Sequence, residues 1–474
     1  MVGGDEGAVK LPDPRDVPGL VALQRGLASQ QAGRPEEAIA SYRRAVRQNP
    51  GLAPAHFNLG QLLRVRGEYS EAAVCFEGAA RLRPNAADAW QNLGAMLEKL
   101  DRHRDAVAAY QRAVVCSPED PALQFNLGNA LLALGDPVAA AAAYRAVIEQ
   151  QPGHGEAQWN LATALLSAGD FDAGWAQYEW RWAKLGVDPA ARFSWPVWQG
   201  EPVVEKRILV WREQGLGDEI LFASCVRELV AAGASVTLAA TPRLAGLFGR
   251  AFPGVTVIDD GKWKGREFDF HCPIGGLPRY LRRNRDAFPL ESRFFHPESP
   301  QATKWAGRLD ELGAGPKVGV CWRSGLLTDD RSRAYAAIEE WAPLFRLEGV
   351  HLINLQYDEC TEEIARVKEQ FGVTIHRWPK ENLKNDLESV VGLIWNLDAV
   401  VTAPTAVSSL AGAAGAPTWE VDNGTDWTAH GEERCPWFPN LRMVRRPPGS
   451  PDWRPAMERI AAEIESQRVP EYSR

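Results

Sequence analysis

One phrase recurs at a fixed interval along the first third of the chain. Its proline returns every thirty-four residues (84−50, 118−84 and 152−118), at Pro50, Pro84, Pro118 and Pro152. An aromatic residue stands eight positions before each proline, at Tyr42, Phe76, Tyr110 and Tyr144. A period of this length predicts stacked helix–turn–helix units, because one such pair of helices cannot bury its apolar face alone.

Glycines recur on the same period inside each unit, at Gly33, Gly67, Gly135 and Gly169. Glycine is the usual residue where a helix must stop, so each one marks the turn between two helices. Together, the prolines, aromatics and glycines closely resemble the tetratricopeptide repeat over residues 18–185. We therefore expect an α-helical solenoid of about five repeats, preceded by a flexible leader at residues 1–17.

The rhythm changes after the repeats. A linker is predicted at residues 186–204, and beyond it short β-branched runs alternate with helical stretches in two blocks, 205–298 and 299–474. Alternating strands and helices predict two parallel, doubly wound sheets, with ligands bound beyond the carboxyl ends of the strands. The last repeat ends in closely spaced aromatic residues, which we expect to pack against this second part as a cap: Trp175, Tyr178, Trp180 and Trp182.

Charge and composition exclude several classes of protein. A formal net charge of −8 provides no basic field for nucleic acid, so we expect none to bind. No stretch offers the ~20 uninterrupted apolar residues of a membrane span. The acidic start lacks the apolar run of a signal peptide, and seven scattered cysteines have no metal-ligand spacing. These features predict a cytoplasmic protein with reduced thiols and no metal.

A glycine-rich loop, Gly215-Leu-Gly-Asp218, follows the predicted strand Arg207–Trp211 and opens a helix. Glycines let backbone amides approach a ligand, and the amino end of a helix favours anions. A dinucleotide fingerprint requires a third glycine where Ile220 stands, so NAD binding is disfavoured. The helix dipole favours the ionised form of Asp218, which could accept a proton, whereas the residue type alone favours an ordinary helix cap.

Several motifs together resemble one bacterial enzyme family. These are Glu-Gln-Gly-Leu-Gly-Asp, Phe-Asp-Phe-His-Cys-Pro, Gly-Val-Cys-Trp-Arg-Ser-Gly, Asn-Leu-Gln-Tyr and Thr-Ala-Val-Ser-Ser-Leu-Ala-Gly. The chain is similar, from residue 18 to about 440, to tetratricopeptide-linked glycosyltransferases with a heptosyltransferase-like module. The resemblance implies a GT-B glycosyltransferase fold of two Rossmann-like lobes, with Asp218 as the catalytic base.

The resemblance also implies where a nucleotide-sugar donor would bind. We expect donor contacts from strand ends and helix starts around the cleft: Gly215, Gly217, Arg323, Ser324, Gln356, Thr405, Ser408 and Ser409. Thr405 and Ser408 are the expected phosphate contacts, although capping of the helix is an equally good interpretation. The chain departs from the common family pattern, since Pro404 and Ser409 replace an aspartate and a histidine. This departure indicates a different donor sugar or nucleotide, or a degenerate site. The resemblance to enzymes that modify flagellin implies a CMP-linked nonulosonic acid as the candidate donor.

Asparagines recur at one position of successive repeats and are candidate peptide ligands: Asn58, Asn92, Asn126 and Asn160. An amide both donates and accepts, so a ladder of amides can pair with a peptide backbone of any sequence. The alternative is a structural role within the repeat. The resemblance implies sugar transfer to Ser or Thr of a protein acceptor, with flagellin as the leading candidate. The alternatives are a non-catalytic adaptor and an enzyme that acts on lipid or polysaccharide.

Overall fold

The computed structural model describes residues 18–291, 293–325, 335–424, 426–447, 450 and 452–466. The chain forms two compact units that divide after Pro152. This division falls inside the predicted repeat region, because the fifth helix pair belongs to the second unit. The predicted leader at residues 1–17 lies outside the described residues.

The first unit consists of four antiparallel helix pairs. Its helices are α1 (Leu20–Gln31), α2 (Pro35–Gln48), α3 (Ala53–Val65), α4 (Tyr69–Leu82), α5 (Ala87–Lys99), α6 (His103–Cys116), α7 (Pro121–Leu134) and α8 (Pro137–Gln150). Each period-defining proline stands two residues beyond a helix end, where it cannot continue the helix. The periodic glycines adopt the left-handed conformation, with φ of 69° at Gly33 and 86° at Gly135. Asp101 takes the corresponding place in the third pair, with φ of 56°.

A small residue faces an aromatic ring inside each pair. A Cβ atom on Gly60, Gly94 or Gly128 would lie 2.9, 2.8 or 2.6 Å from the ring of its partner. The partners are Phe76, Tyr110 and Tyr144. Because carbon atoms do not approach so closely, glycine is required for the two helices of each pair to pack. Packing therefore accounts for the glycine that stands two residues after each of Asn58, Asn92 and Asn126.

The second unit begins with the fifth helix pair. Its helices are α9 (Gly155–Ser167), α10 (Phe171–Tyr178) and a short α11 (Arg181–Leu185). Trp175 is buried, and its indole Nε1 donates to the carbonyl oxygen of Arg282 at 2.9 Å. Trp182 packs against Trp211 with ring centroids 5.6 Å apart. The expectation that the aromatic end of the repeats packs against the α/β part is confirmed for these two tryptophans.

A four-stranded parallel sheet follows, in the order β3-β2-β1-β4. The strands are β1 (Arg207–Trp211), β2 (Ser235–Ala240), β3 (Thr256–Asp259) and β4 (Phe270–Pro273). The helices around it are α12 (Leu216–Ala223), α13 (Val226–Ala231), α14 (Ala245–Ala251) and α15 (Pro278–Leu281). Strand β1 lies in the centre, with Leu209 opposite Thr237 of β2 and His271 of β4.

A six-stranded parallel sheet forms the rest of the unit, in the order β10-β9-β8-β5-β6-β7. Its strands are β5 (Lys317–Cys321), β6 (His351–Asn354), β7 (Ile375–His376), β8 (Ala399–Thr402), β9 (Thr418–Asp422) and β10 (Leu441–Arg445). Its helices are α16 (Ser299–Asp310), α17 (Ala342–Phe345), α18 (Thr361–Phe371), α19 (Leu387–Trp395), α20 (Ala406–Ala414) and α21 (Arg454–Ser466). Helix α16 begins at the predicted boundary between the two blocks and packs on α19.

The prediction of a parallel-sheet α/β region is confirmed. If the strands of each sheet are renumbered from 1 in chain order, the first sheet has the order 3-2-1-4. The second sheet, read from β7 to β10, has the order 3-2-1-4-5-6 of a doubly wound fold. In such sheets the chain leaves the central strands toward opposite sides, which opens a crevice at their carboxyl ends. Strand β10 is absent from our sequence-based prediction. No helix in the described ranges has the length and apolar character required to cross a bilayer.

Candidate functional site

A cleft of about 480 Å³ lies between the two sheets, at the carboxyl ends of their strands. Helix α12, which follows β1, packs against α20, which follows β8. The two helix starts come close, since a Cβ on Gly217 would lie 3.3 Å from Ser409 Oγ. Asp218 and Thr405 line the same cleft. The structure thus brings the glycine loop and the start of α20 to one cavity.

A buried ion pair holds the loop that leads into α12. Glu213 accepts two hydrogen bonds from the guanidinium of Arg181, at 2.8 and 3.0 Å, and a third from the backbone N–H of Gly275 at 2.8 Å. The next residue, Gln214, has φ of 60°, a conformation that is costly for a residue other than glycine. Its amide donates to Tyr178 Oη at 2.7 Å. Side chains from α10 and α11 and a backbone N–H beyond β4 therefore support the loop that contains this strained residue.

Asp218 stands in the first turn of α12 and is half-buried. Its Oδ2 accepts a hydrogen bond from the backbone N–H of Gly215 at 3.1 Å, so it does contribute to capping. Its pKa is raised from 3.8 to about 6, mainly by burial; the Gly215 hydrogen bond opposes this rise, and the negative charges of Asp426 and Glu213 contribute to it. A carboxylate with a pKa near 6 is ionised at neutral pH yet basic enough to take a proton.

The start of α20 presents hydroxyl groups to the cleft. Thr405 is the N-cap residue, and its Oγ1 accepts from the backbone N–H of Val407 at 3.3 Å. Ser324, after β5, and Ser409 also line the cleft. The free amides of a helix start attract anions, and Thr405 and Ala406 at this start line the cleft.

Three of the predicted donor contacts are hydrogen-bonded within the protein, and of these only Ser408 lines the cleft. Ser408 is buried and donates its hydroxyl hydrogen to the carboxylate of Glu420. The guanidinium of Arg323 lies outside the cleft, because it forms a bidentate ion pair with Glu363, with its Nε 2.8 Å from Glu363 Oε1. Gln356 is buried and bonded to the backbone N–H and carbonyl oxygen of Arg323. In this arrangement Arg323 and Gln356 hold the loop after β5, and neither is among the residues that line the cleft.

Acidic side chains that sequence reasoning missed line the cleft instead. Glu420 and Asp422 lie at the end of β9, and Asp426 lies in the loop that follows. Burial and the charge of Asp426 raise the pKa of Asp422 to about 7, although Arg445 opposes this shift. The pKa of Glu420 is also raised, first by burial. Their position at a strand end was the available signal, and our set of expected cleft residues did not include them.

Trp427 follows this acidic loop and lines the cleft as well. Its ring packs against Trp175 and Tyr178, at centroid distances of 5.9 and 5.4 Å. His271 of β4 is fully buried, and its Nδ1 accepts a hydrogen bond from Trp211 Nε1 at 3.1 Å. This histidine is a core residue of the first sheet.

A second, smaller cavity of about 190 Å³ lies at the ends of β6 and β7. It is lined by polar and aromatic side chains, among them Gln356, Arg377 and Trp378. Tyr357 lines both this cavity and the cleft, and its hydroxyl accepts from the backbone N–H of Gly325 at 3.2 Å. The two cavities are therefore neighbours on the second sheet. Within the described ranges, no group of three His, Cys, Asp or Glu side chains is arranged to hold a metal ion.

The repeated asparagines lie on the first helices of their pairs and are half-buried. Asn58, Asn92 and Asn126 occupy α3, α5 and α7 of the first unit, and Asn160 occupies α9 of the second. The amide of Asn92 donates to the carbonyl oxygen of Asp88 at 2.7 Å, which leaves its own oxygen as an acceptor. These positions suit either contact with a peptide or support of the helix.

Comparison with known proteins identifies the repeats. The tetratricopeptide-repeat family model matches residues 23–74, 57–121 and 125–179. This part of the chain therefore carries tetratricopeptide repeats, as the periodic phrase predicted. Such arrays characteristically offer a concave surface to protein partners.

One relative matches a stretch of the chain that is longer than the repeat region. The chain is 36% identical over 313 residues to Protein FlbA of Caulobacter vibrioides, an alignment that covers 61% of this chain and 52% of FlbA. The chain thus matches about half the length of that relative. Among solved structures, the crystal structure of YrrB, a tetratricopeptide-repeat protein with an unusual peptide-binding site, is 26% identical; the match covers 34% of this chain and 84% of YrrB, with a TM-score of 0.33. MamA from Desulfovibrio magneticus RS-1 is 19% identical, and the match covers 37% of this chain and 97% of that structure, with a TM-score of 0.32.

Proposed function

We propose that the protein is a glycosyltransferase of GT-B type that moves a sugar from a nucleotide donor to a Ser or Thr hydroxyl of a protein. The observation that carries this proposal is the shared cleft. Asp218 from the first sheet and Thr405 from the second line one cavity at the carboxyl ends of parallel strands. A base on one wall and an anion-binding helix start on the other are the two parts that such a transfer needs.

In the proposed reaction, the carboxylate of Asp218 accepts the proton of the acceptor hydroxyl. The hydroxyl oxygen then forms a bond to the anomeric carbon of the sugar. The bond between that carbon and the phosphate oxygen breaks, and the phosphate leaves with the electron pair. The free amides at the start of α20 and the hydroxyl of Thr405 stabilise the charge that develops on the phosphate.

The donor in this proposal spans both cavities of the second sheet. Its phosphate lies by Thr405, and its base reaches past Tyr357 into the smaller cavity. A CMP-linked nonulosonic acid is our candidate donor, as the resemblance of the sequence motifs to glycosyltransferases that modify flagellin implies. The reaction as proposed uses no metal ion.

The repeats serve in this proposal to hold the protein acceptor, with flagellin as the first candidate. Their asparagines would pair with the backbone of an extended segment of that acceptor. Any exposed Ser or Thr in such a segment could then be a substrate, because backbone pairing selects no side chain.

Intact-mass measurement of a co-expressed flagellin tests the proposal. Wild-type protein should add sugar-sized mass increments, and the variant Asp218→Asn should add none. Asparagine keeps an oxygen to accept from Gly215, so the helix cap is retained while the base is lost. Asp310→Asn, at an exposed helix end, is the matched control and should behave as wild type. Increments that persist in Asp218→Asn would refute Asp218 as the base.

A non-catalytic adaptor is the second candidate, and the charge of the cleft favours it. No Lys or Arg is among the described residues that line the cleft, whereas four carboxylates are. Carboxylates repel a nucleotide phosphate unless they are protonated or turned away. If wild-type protein turns over no nucleotide sugar from a broad donor set and yet binds its protein partner, the adaptor role replaces the enzymatic one.

A further inference from the structure

The floor of the cleft contains carboxylate oxygens without hydrogen-bond partners. Glu420 and Asp422 expose only 4% and 1% of their surface, and both line the cavity. Within the described part of the chain, Glu420 Oε1 and Asp422 Oδ2 accept no hydrogen bond. A buried carboxylate oxygen that lacks a donor costs free energy, so a site of this kind favours a ligand that supplies donors.

The surroundings provide only some of those donors: backbone N–H groups of Gly424 and Asp426 donate to Asp422, but its Oδ2 has no partner. Arg445 Nε lies 3.9 Å from Asp422 Oδ2, which is too far for a hydrogen bond. Ser408 serves only the other oxygen of Glu420. Asp426 lies beside Glu420, and one proton shared by those two carboxyls would satisfy that contact but would leave Asp422 Oδ2 unpaired.

The position of this floor indicates which part of a ligand meets it. Thr402 of β8 is paired with Glu420 of β9, so the two strands end side by side. Thr405, after β8, marks the anion-binding helix start, and the carboxylates mark the neighbouring strand end. A phosphate would be repelled by Glu420 and Asp422, whereas the group attached to that phosphate would reach them with its hydroxyl or N–H hydrogens.

We propose that Glu420 and Asp422 form a subsite that binds the transferred sugar by accepting hydrogen bonds from its hydroxyl or amide groups. This inference rests on the proposed function, because it names the part of the donor that this cleft holds. It assigns the floor to the sugar and the helix start of α20 to the phosphate. Glu420 and Asp422 are thereby specificity-determining residues and take no proton from the acceptor.

Isothermal titration of matched ligand pairs tests the subsite. The probes are CMP against CMP-N-acetylneuraminic acid, UDP against UDP-N-acetylglucosamine, and GDP against GDP-mannose. The quantity compared is the ratio of the two Kd values in a pair, which isolates the contribution of the sugar. In wild-type protein at least one pair should favour the nucleotide sugar. In Asp422→Asn and Glu420→Gln that preference should fall about tenfold, as expected for the loss of one hydrogen bond to the sugar.

The controls separate a local effect from unfolding. Glu433→Gln makes the same change of charge at an exposed glutamate outside the cleft and should leave the ratio unaltered. Because the nucleotide alone is titrated into every variant, a misfolded variant reveals itself by losing both ligands. If only one amide variant folds, its ratio decides the question.

The outcomes distinguish this inference from the proposed function. A preference that disappears in the amide variants, together with no transfer to protein, supports the subsite and overturns the transferase. Transfer with a ratio that is unchanged in both variants overturns the subsite alone. Wild-type protein that binds none of the six probes overturns the subsite together with the nucleotide-sugar donor on which it depends.

Discussion

Arg181 and Glu213 form a buried, two-pronged ion pair that joins the end of the repeat helices to the loop after β1. The distances are 2.8 Å from Nε to Oε2 and 3.0 Å from Nη2 to Oε1. Glu213 also accepts from the N–H of Gly275, beyond β4, at 2.8 Å. A single carboxylate thus connects three elements, and it lies directly before the glycine loop that carries Asp218.

Replacement of Glu213 by glutamine should therefore destabilise the second unit. The guanidinium of Arg181 would stay buried with only Glu179 as a charged partner. Loss of one member of a buried ion pair typically costs about 3–5 kcal/mol, because the remaining charge is left uncompensated. Urea unfolding followed by tryptophan fluorescence measures this change. Glu267→Gln, at an exposed site, is the control, and an equal free energy of unfolding in both variants would contradict the structural role of the pair.

A second prediction concerns the effect of pH on stability through Asp218. Its pKa is about 6 in the fold and 3.8 ordinarily, so between these values the folded protein holds a proton that the unfolded chain has lost. Stability from this group therefore decreases as pH rises through that window and stays lower above pH 6. Asp218→Asn cannot ionise, so its stability relative to wild type should increase from pH 4 to pH 7.5. Urea titrations at both pH values measure the difference, and a constant difference would contradict the raised pKa.

The pH dependence of the reaction provides a second test of the pKa of Asp218. The proposed base acts only when ionised, so kcat/KM for transfer should fall tenfold per pH unit below about 6. Glu213→Gln removes a negative charge that raises the pKa of Asp218, so any activity this variant retains should have its acidic limb at lower pH. The measurement is a pH–rate profile for both proteins under conditions where each is folded. An acidic limb that does not move would exclude Glu213 as an influence on the base.

Sequence periodicity was sufficient to predict the repeats and most of the strands, since both depend on local patterns of apolar residues. It could not determine the direction of individual side chains. Arg323 follows a strand end, as the prediction required, yet it turns to Glu363, forty residues further along the chain. Ser408, which we expected to contact a phosphate, donates its hydroxyl hydrogen to Glu420 instead. Both outcomes depend on contacts between elements that are distant in sequence, and no local spacing encodes them.

The small residues of the repeats allow a prediction about packing. In Gly94→Ala the new Cβ would lie 2.8 Å from the ring of Tyr110, whose hydroxyl is held by Glu98 at 2.8 Å. The ring has little room to move, and overpacking of this kind costs about 1–3 kcal/mol. Gly155→Ala, on α9 with no atom within 4 Å of the new Cβ, should be neutral or slightly stabilising. Thermal unfolding by circular dichroism compares the two, and equal melting temperatures would contradict the packing role.

The last prediction addresses the asparagines that packing does not explain. The triple variant Asn58→Ala, Asn92→Ala and Asn126→Ala should weaken binding of the protein acceptor and leave nucleotide binding intact. Each lost hydrogen bond contributes about 1 kcal/mol, so KM for the acceptor should rise by tenfold or more while kcat changes little. Asn49→Ala is the control, because Asn49 Oδ1 accepts from the N–H of Gly51 within a turn, and this change should affect stability alone. If KM for the acceptor is unchanged in the triple variant while transfer continues, the asparagines support the helices, and the acceptor is held by other groups.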